Sequence, residues 1–274
     1  MRAHIVQTTF PLEGRAAAFA QVRALLEKAS PEPGGLIVLS ELFACGFTPA
    51  SREMAEGDGE LEETAEFLAE IARTWKCTVQ GSGIGLAKDG KLQNLVSVHG
   101  PDGETVGTFE KIHPFRFGGE EEVFGRGDRI LLYKWGEIVV CPMVCYDLRF
   151  PECFRRATLL GAQLFAVGAN WPKTRREHWR ALLQARAIDD LAYVLGANCV
   201  GTDGHLTFKG ESQAYGPKGE PLGALADEPG VLSVEVELRR VLSWREKSLI
   251  LDCIRDPEEL RAVRAWTDSP RTRS

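Results

Sequence analysis

No run of apolar residues in this sequence approaches the ~20 that a membrane-spanning helix needs, and no Pro/Gly/Ser-rich stretch divides it. The first absence argues against an integral membrane protein. The second argues against separate domains, so residues 1–274 read as one domain, with about 262–274 as a C-terminal tail. An excess of basic residues is also missing. Lys and Arg number 33 against 39 Asp and Glu, a net charge of −6, which disfavours a nucleic-acid surface. The seven cysteines are an odd number without CxxC spacing. That argues against a disulfide framework or a structural zinc site and suits a reducing compartment. Met1–Val6 enters strand-like sequence without the apolar core of a signal peptide, so a cytoplasmic location is the expectation.

What is present reads as alternating elements. A strand over 2–9 is followed by an amphipathic helix over 14–29, with Ala18, Val22, Leu25 and Leu26 on one face. Leu36–Leu39 is a short strand apolar on both faces. A helix over 61–75 precedes strands at 78–87, 92–98 and 105–111, with hairpin turns at Asp89-Gly90 and Asp102-Gly103. Residues 112–129 read as a long charged, Gly-rich loop. Strands at 130–133 and 137–145, a helix over 151–160, a strand at 163–168, a helix over 175–190 and a strand at 192–197 follow. A hairpin-rich segment over 206–236 and a short helix near 238–246 close the pattern. This is mixed α/β, a layered sandwich whose sheets carry helices on their outer faces.

One stretch in this pattern carries chemistry. Ile138–Val144 is an apolar run that turns polar at Cys145, and Pro151 then suits the first turn of a helix. The thiol therefore sits at the carboxyl end of a strand, where α/β proteins gather functional groups. Two other apolar strands end in charge, at Glu41 and at Lys111. If these two face each other, the pair can polarise a thiol between them. Each residue also has a plainer reading: a core cysteine, a helix-start carboxylate and a solvated strand end.

Ser40-Glu41-Leu42-Phe43, Glu110–Phe115 and Cys145–Glu152 resemble, in order, the three signature blocks of the nitrilase superfamily of carbon–nitrogen hydrolases. The resemblance extends to Gly168–Pro172, to His178-Trp179, to Gln184–Ala187 and to Gly210–Ser212. Asn170-Trp171-Pro172 and His113–Arg116 look most like its omega-amidase branch. The resemblance implies an α-β-β-α sandwich with two mixed sheets, forming a homodimer across the helices after Cys145 and over 175–190. It implies hydrolysis of a small linear amide through a cysteine thioester, without a cofactor or metal. The substrate class would be an omega-amide such as alpha-ketoglutaramate. N-carbamoyl amino acids or other aliphatic amides are the alternative, nitriles come further behind, and a catalytically silent binding or scaffold protein is the non-enzyme alternative.

Carried onto this sequence, the resemblance makes Cys145 the nucleophile and Glu41 the general base and acid. Lys111 and the Tyr146 backbone N–H become the oxyanion donors. A second family glutamate matches Glu120 best by spacing, with Glu121 and Glu122 adjoining. Arg116 is the candidate for binding a substrate carboxylate, with Asn170 and Trp171 in the pocket. Cys77, Cys141, Cys153 and Cys199 are expected in the core. His113 is expected to hold its loop, His178 to pack, and Arg149 and Glu152 to pair. Gly81–Gly85 sits in a strand without a suitably placed lysine and does not fit a phosphate loop.

Overall fold

Strands whose residues are apolar on both faces must be covered on both, and this requirement sets the layers. The computed structural model describes residues 1–47, 53–58, 62–87, 90–116 and 119–254. Its first half comprises β1 (Arg2–Gln7), α1 (Arg15–Ala29), β2 (Leu36–Val38), β3 (Glu56–Asp58), α2 (Glu62–Trp75), β4 (Thr78–Leu86), β5 (Leu92–His99) and β6 (Thr105–Glu110). Then come α3 (Glu120–Val123), β7 (Tyr133–Trp135), β8 (Ile138–Val144), α4 (Pro151–Leu159), β9 (Leu164–Gly168), α5 (Arg176–Asp190) and β10 (Tyr193–Ala197). The rest is β11 (Val200–Thr202), β12 (Thr207–Lys209), β13 (Gln213–Tyr215), β14 (Pro221–Ala224), β15 (Gly230–Glu235) and α6 (Leu238–Ser248).

One sheet has the order β15-β1-β2-β4-β5-β6, with β3 beside β4; the other has β14-β13-β10-β9-β8-β7. Between them, Ile5, Val38 and Val98 of the first sheet pack with Val140, Met143 and Phe165 of the second. On the first sheet's outer face, Val6, Ile37 and Val79 meet Val22 and Leu26 of α1 and Phe67, Leu68 and Ile71 of α2. The alternation of Ile5 with Val6, and of Val38 with Ile37, is the strand period sorting one chain into two cores. Gln80 crosses the sandwich, donating to Ala166 O at 3.0 Å and accepting from the Tyr133 hydroxyl at 3.0 Å.

The observed elements differ from the expected ones in identifiable places. Ile130–Leu132 packs half-buried against the core without strand pairing, and β7 starts only at Tyr133. The polar β3 carries no apolar pattern and was not anticipated. The Asp102-Gly103 turn is present, with Gly103 at φ 86°; Asp89 and the 262–274 tail lie outside the described residues. Cys77, Cys141 and Cys199 are buried and Cys153 half-buried, and all seven cysteines are free. No helix among the described residues is long and apolar enough to cross a membrane.

Two histidines are folded into this frame. His4 lies 2.9 Å from Ser233 Oγ, and His99 lies 2.9 Å from Ser97 Oγ. Burial lowers both below the ordinary value of 6.5, with Arg2 adding to the effect at His4. The unfolded chain then takes up these protons first. Their contribution is complete above pH 6.5 and is lost as pH falls toward the lower folded-state values. Urea unfolding at about pH 7.5 and pH 5 should show a smaller pH-dependent loss in His4→Gln/His99→Gln than in wild type; equal losses would remove both histidines from the acid response.

Candidate active site

The site is built where strands of both sheets end. β1, β2 and β4 run parallel, as do β8, β9 and β10. Two antiparallel steps, β4 to β5 and β5 to β6, return β6 to the direction of β4. Glu41 follows β2, Lys111 follows β6 directly, Cys145 follows β8 directly and Asn170 follows β9. A Cβ on Gly168 would stand 2.9 Å from Leu39 O and 3.2 Å from Glu41 N, so glycine lets β9 close on the Glu41 segment. This approach brings the Asn170 backbone N–H to Glu41 Oε2 at 3.0 Å.

Lys111 is the hub. Its ammonium donates to Glu41 Oε1 at 2.7 Å, to Glu120 Oε2 at 2.8 Å and to Glu120 Oε1 at 3.1 Å. All three side chains are buried, at 2%, 4% and 5% exposure for Lys111, Glu41 and Glu120. Asn94 on β5 donates a further bond to Glu41 Oε1 at 2.8 Å, and the Phe115 N–H donates to Glu120. The three adjacent glutamates are separated by helix geometry. Glu120 turns inward, Glu121 pairs with Arg126, and Glu122 is exposed.

Cys145 opens a 3-10 turn, Cys145–Arg149, at φ 41°. A non-glycine residue in this left-handed region costs roughly 1–3 kcal/mol, which the surroundings must offset. Asp147, fully buried, does part of this. Its Oδ2 accepts the Val144 N–H at 3.2 Å, and its Oδ1 accepts the His113 N–H at 2.9 Å with His113 Nδ1 also 2.9 Å away. The turn carrying the thiol is thereby tied to the segment that follows Lys111. Tyr146 is the second residue of the turn, where backbone N–H groups have no acceptor within the helix.

Burial, then the Glu41 carboxylate, push the Cys145 thiol well above its usual range, and Lys111 offsets only part of this. The thiol therefore keeps its proton at neutral pH. Burial opposes the charge on Lys111, but Glu120 and Glu41 outweigh it and raise the ammonium well above its ordinary value. Burial raises Glu120, partly countered by Lys111. At the thiol, Lys111 alone favours the charged form, while burial first and then the Glu41 carboxylate favour the neutral one.

A cavity of about 610 Å³ opens onto this cluster. Its lining combines Glu41, Lys111, Glu120 and Cys145 with aromatic walls from Phe10, Phe115, Tyr146, Trp171 and Phe208. Asn170 lines it too, and both polar atoms of its side chain are buried without a hydrogen-bond partner among the described residues. Arg149 and Arg175 also face the cavity. The Arg149 guanidinium lies 4.9 Å from the Trp171 ring centroid, and that of Arg175 lies 5.1 Å from that of Phe115. Neither has a carboxylate partner among the described residues.

Arg116 stands elsewhere. Its side chain is 79% exposed, lies 3.6 Å from Glu121 and does not line the cavity. Arg149 donates to His178 Nδ1 at 3.2 Å rather than pairing with Glu152, and His178 is exposed rather than packed. The residues that sequence inspection overlooked are Asn94, Asp147 and Arg175. Only Asp147, two residues past the thiol, had a positional signal. Among the described residues, no group of three or more His, Cys, Asp or Glu is placed to hold a metal ion.

Residues 2–246 match the model of the carbon–nitrogen hydrolase family. The chain belongs to that family. It is 28% identical over 231 residues to the 2-oxoglutaramate amidase of Bacillus subtilis, covering 84% of this chain and 88% of the relative. It is 35% identical over 217 residues to the omega-amidase YafV of Yersinia enterocolitica, covering 77% and 81%. Among solved structures, a carbon–nitrogen hydrolase superfamily protein of Xanthomonas campestris, with an arsenic adduct in its active site, aligns with TM-score 0.85 at 28% identity, covering 93% of this chain and 98% of that one. A nitrilase-superfamily amidase of Nesterenkonia aligns with TM-score 0.77 at 27% identity, covering 93% and 97%. This hydrolase has the nitrilase-superfamily fold, two mixed sheets between helices.

The ion cluster makes a direct prediction. Lys111→Met leaves two buried carboxylates without their cation and should cost about 3–5 kcal/mol in urea unfolding. Adding Glu120→Gln should recover part of that loss. A single-variant loss below about 1 kcal/mol would show that the carboxylates do not depend on Lys111.

Proposed function

We propose that this carbon–nitrogen hydrolase cleaves the terminal amide of a small acidic omega-amide, of the 2-oxoglutaramate kind, into carboxylate and ammonia. The observation that carries the reading is the geometry that holds Cys145 at a left-handed turn in one cavity with the paired Glu41 and Lys111. Burial and the Glu41 charge favour the neutral thiol, and a neutral thiol needs a base at the moment of attack. Glu41 takes the proton as sulfur bonds to the amide carbon, and the carbonyl oxygen becomes an oxyanion facing Lys111 and the Tyr146 N–H. The protonated Glu41 gives its proton to the departing nitrogen, the C–N bond breaks, and ammonia leaves a thioester. Glu41 next takes a proton from water, whose oxygen attacks the thioester. The C–S bond breaks, and the proton returns to sulfur. Glu120 holds Lys111 in place throughout.

An acidic substrate is supported by the two relatives that are 2-oxoglutaramate or omega-amidases. It is also supported by the guanidinium groups of Arg149 and Arg175, which face the cavity without carboxylate partners among the described residues. The unpartnered Asn170 amide and the Trp171 ring complete the pocket in this reading. The chain works as a homodimer joined across α4 and α5, where Leu159 and Ile188 are 52% and 47% exposed.

Cys145→Ala should abolish ammonia release while the unfolding transition stays in place, and wild type quenched during turnover should show an acyl adduct on the Cys145 peptide. Substantial activity in the variant would end the thioester mechanism. Arg175→Ala should lower kcat/KM for an acidic omega-amide about tenfold or more, the scale of one charge-assisted hydrogen bond, and leave neutral aliphatic amides within about threefold. Equal losses on both substrate types would remove Arg175 from carboxylate binding.

A further inference from the structure

Three buried polar residues outside the cavity form one continuous chain that leads, through the Asn170–Trp171 backbone, to Glu41. Asn198, directly after β10 and 2% exposed, places its side-chain amide against the backbone of Trp171. Its Oδ1 accepts the Trp171 N–H at 2.7 Å, and its Nδ2 donates to Trp171 O at 3.2 Å and to Gly210 O at 2.7 Å. The neighbouring residue in that segment is Asn170, whose N–H donates to Glu41 Oε2. On its other side, the Asn198 N–H donates to Ser212 Oγ at 2.9 Å. The Ser212 hydroxyl and N–H both donate to Gln7 Oε1, at 2.7 and 2.9 Å. Gln7 Nε2 in turn donates to the carbonyls of Ala226 and Glu228, each at 2.7 Å.

Burying three polar side chains is costly unless each is satisfied, and here every side-chain polar atom in the chain has a partner. None of Asn198, Ser212 and Gln7 lines the cavity. Gln7 lies on the first sheet and Ser212 leads into the second, so the chain also fixes one sheet against the other.

We infer that Asn198 is a positioning residue for the Glu41 carboxylate, acting through the Asn170–Trp171 backbone, with Ser212 and Gln7 holding Asn198 in register. This rests on Glu41 serving as the general base. Without Asn198 the Trp171 peptide is free to turn, and the Asn170 N–H drifts from Glu41. A carboxylate that loses an N–H donor holds its proton more tightly, so it becomes available as a base only at higher pH.

The test compares wild type with Asn198→Ala, Asn198→Ser, Ser212→Ala and, as a control for lost stability, Leu26→Ala in the distant α1 core. Three readouts are taken: kcat and KM on an omega-amide, the pH profile of kcat/KM, and the pH dependence of Cys145 alkylation by iodoacetamide. Alkylation is followed by peptide mass spectrometry, with the exposed Cys253 as internal reference. Asn198→Ala should lower kcat about tenfold or more with KM within about threefold, the scale of a small misplacement at the reacting groups. Its acidic limb should move to higher pH, and Cys145 alkylation should slow relative to Cys253. Asn198→Ser, whose hydroxyl can still accept the Trp171 N–H, should recover part of the loss, and Ser212→Ala should shift in the same direction by less. Leu26→Ala should lose stability without moving the limb. Unmoved limbs, with activity tracking stability as in Leu26→Ala, would overturn the inference. If wild type releases no ammonia from any omega-amide, the functional reading fails, and the alkylation ratios still decide the role of Asn198.

Discussion

A single buried ammonium shared by two carboxylates is the interaction on which this molecule's site depends. Charges without water are tolerated only when paired and hydrogen-bonded, and Lys111, Glu41 and Glu120 meet that condition together or not at all. The arrangement draws in its surroundings. The inward face of α3 supplies Glu120, β5 supplies Asn94, and the closure of β9 at Gly168 supplies the Asn170 N–H. It also sets the state of the neighbouring thiol. Burial of the sulfur first, and then the charge of Glu41 beside it, favour a neutral thiol over a thiolate.

Part of this was legible in the chain because strand physics makes certain residues conspicuous. A charge that closes an all-apolar strand, as Glu41 and Lys111 do, is out of keeping with its neighbours, and a polar turn after Ile138–Val144 marks Cys145. Long, strongly periodic elements such as α5 were equally plain. Three consecutive glutamates cannot be ranked by pattern alone; only the turn of α3 separates Glu120 from Glu121 and Glu122. Arg116 reads as a carboxylate binder because it is a loop guanidinium able to grip a carboxylate bidentately, but Glu121 lies beside it on the surface. The cations that do face the cavity, Arg149 and Arg175, sit over aromatic rings that are distant in sequence or follow an unremarkable loop. The pairing of β1 with β15, 231 residues apart at Ala3 and Val234, likewise has no local signature.

Amides such as those of Asn94 and Asn198 were hidden for a related reason. An asparagine at a strand end reads as a turn former, and its role becomes visible only when the partner backbone is in place. Asp147 is similar. Its carboxylate bridges the Val144 N–H and the His113 N–H, which lie 31 residues apart by number, so neither partner points to the other in the sequence.

The division of the site between two sheets has a consequence for assembly. Glu41 and Lys111 come from one sheet, while Cys145 and the Asn170 N–H come from the other. A hydrophobic interface alone would accept several ways of laying one apolar sheet on another. A sandwich docked one residue out of register would still bury much of its oil-like surface, but it would strand Glu41 without its Asn170 donor and leave the charges of the first sheet against the wrong backbone. The same groups that equip the site thus act as a proofreading key for the packing of the two layers, and only the correctly closed sandwich lets them leave water.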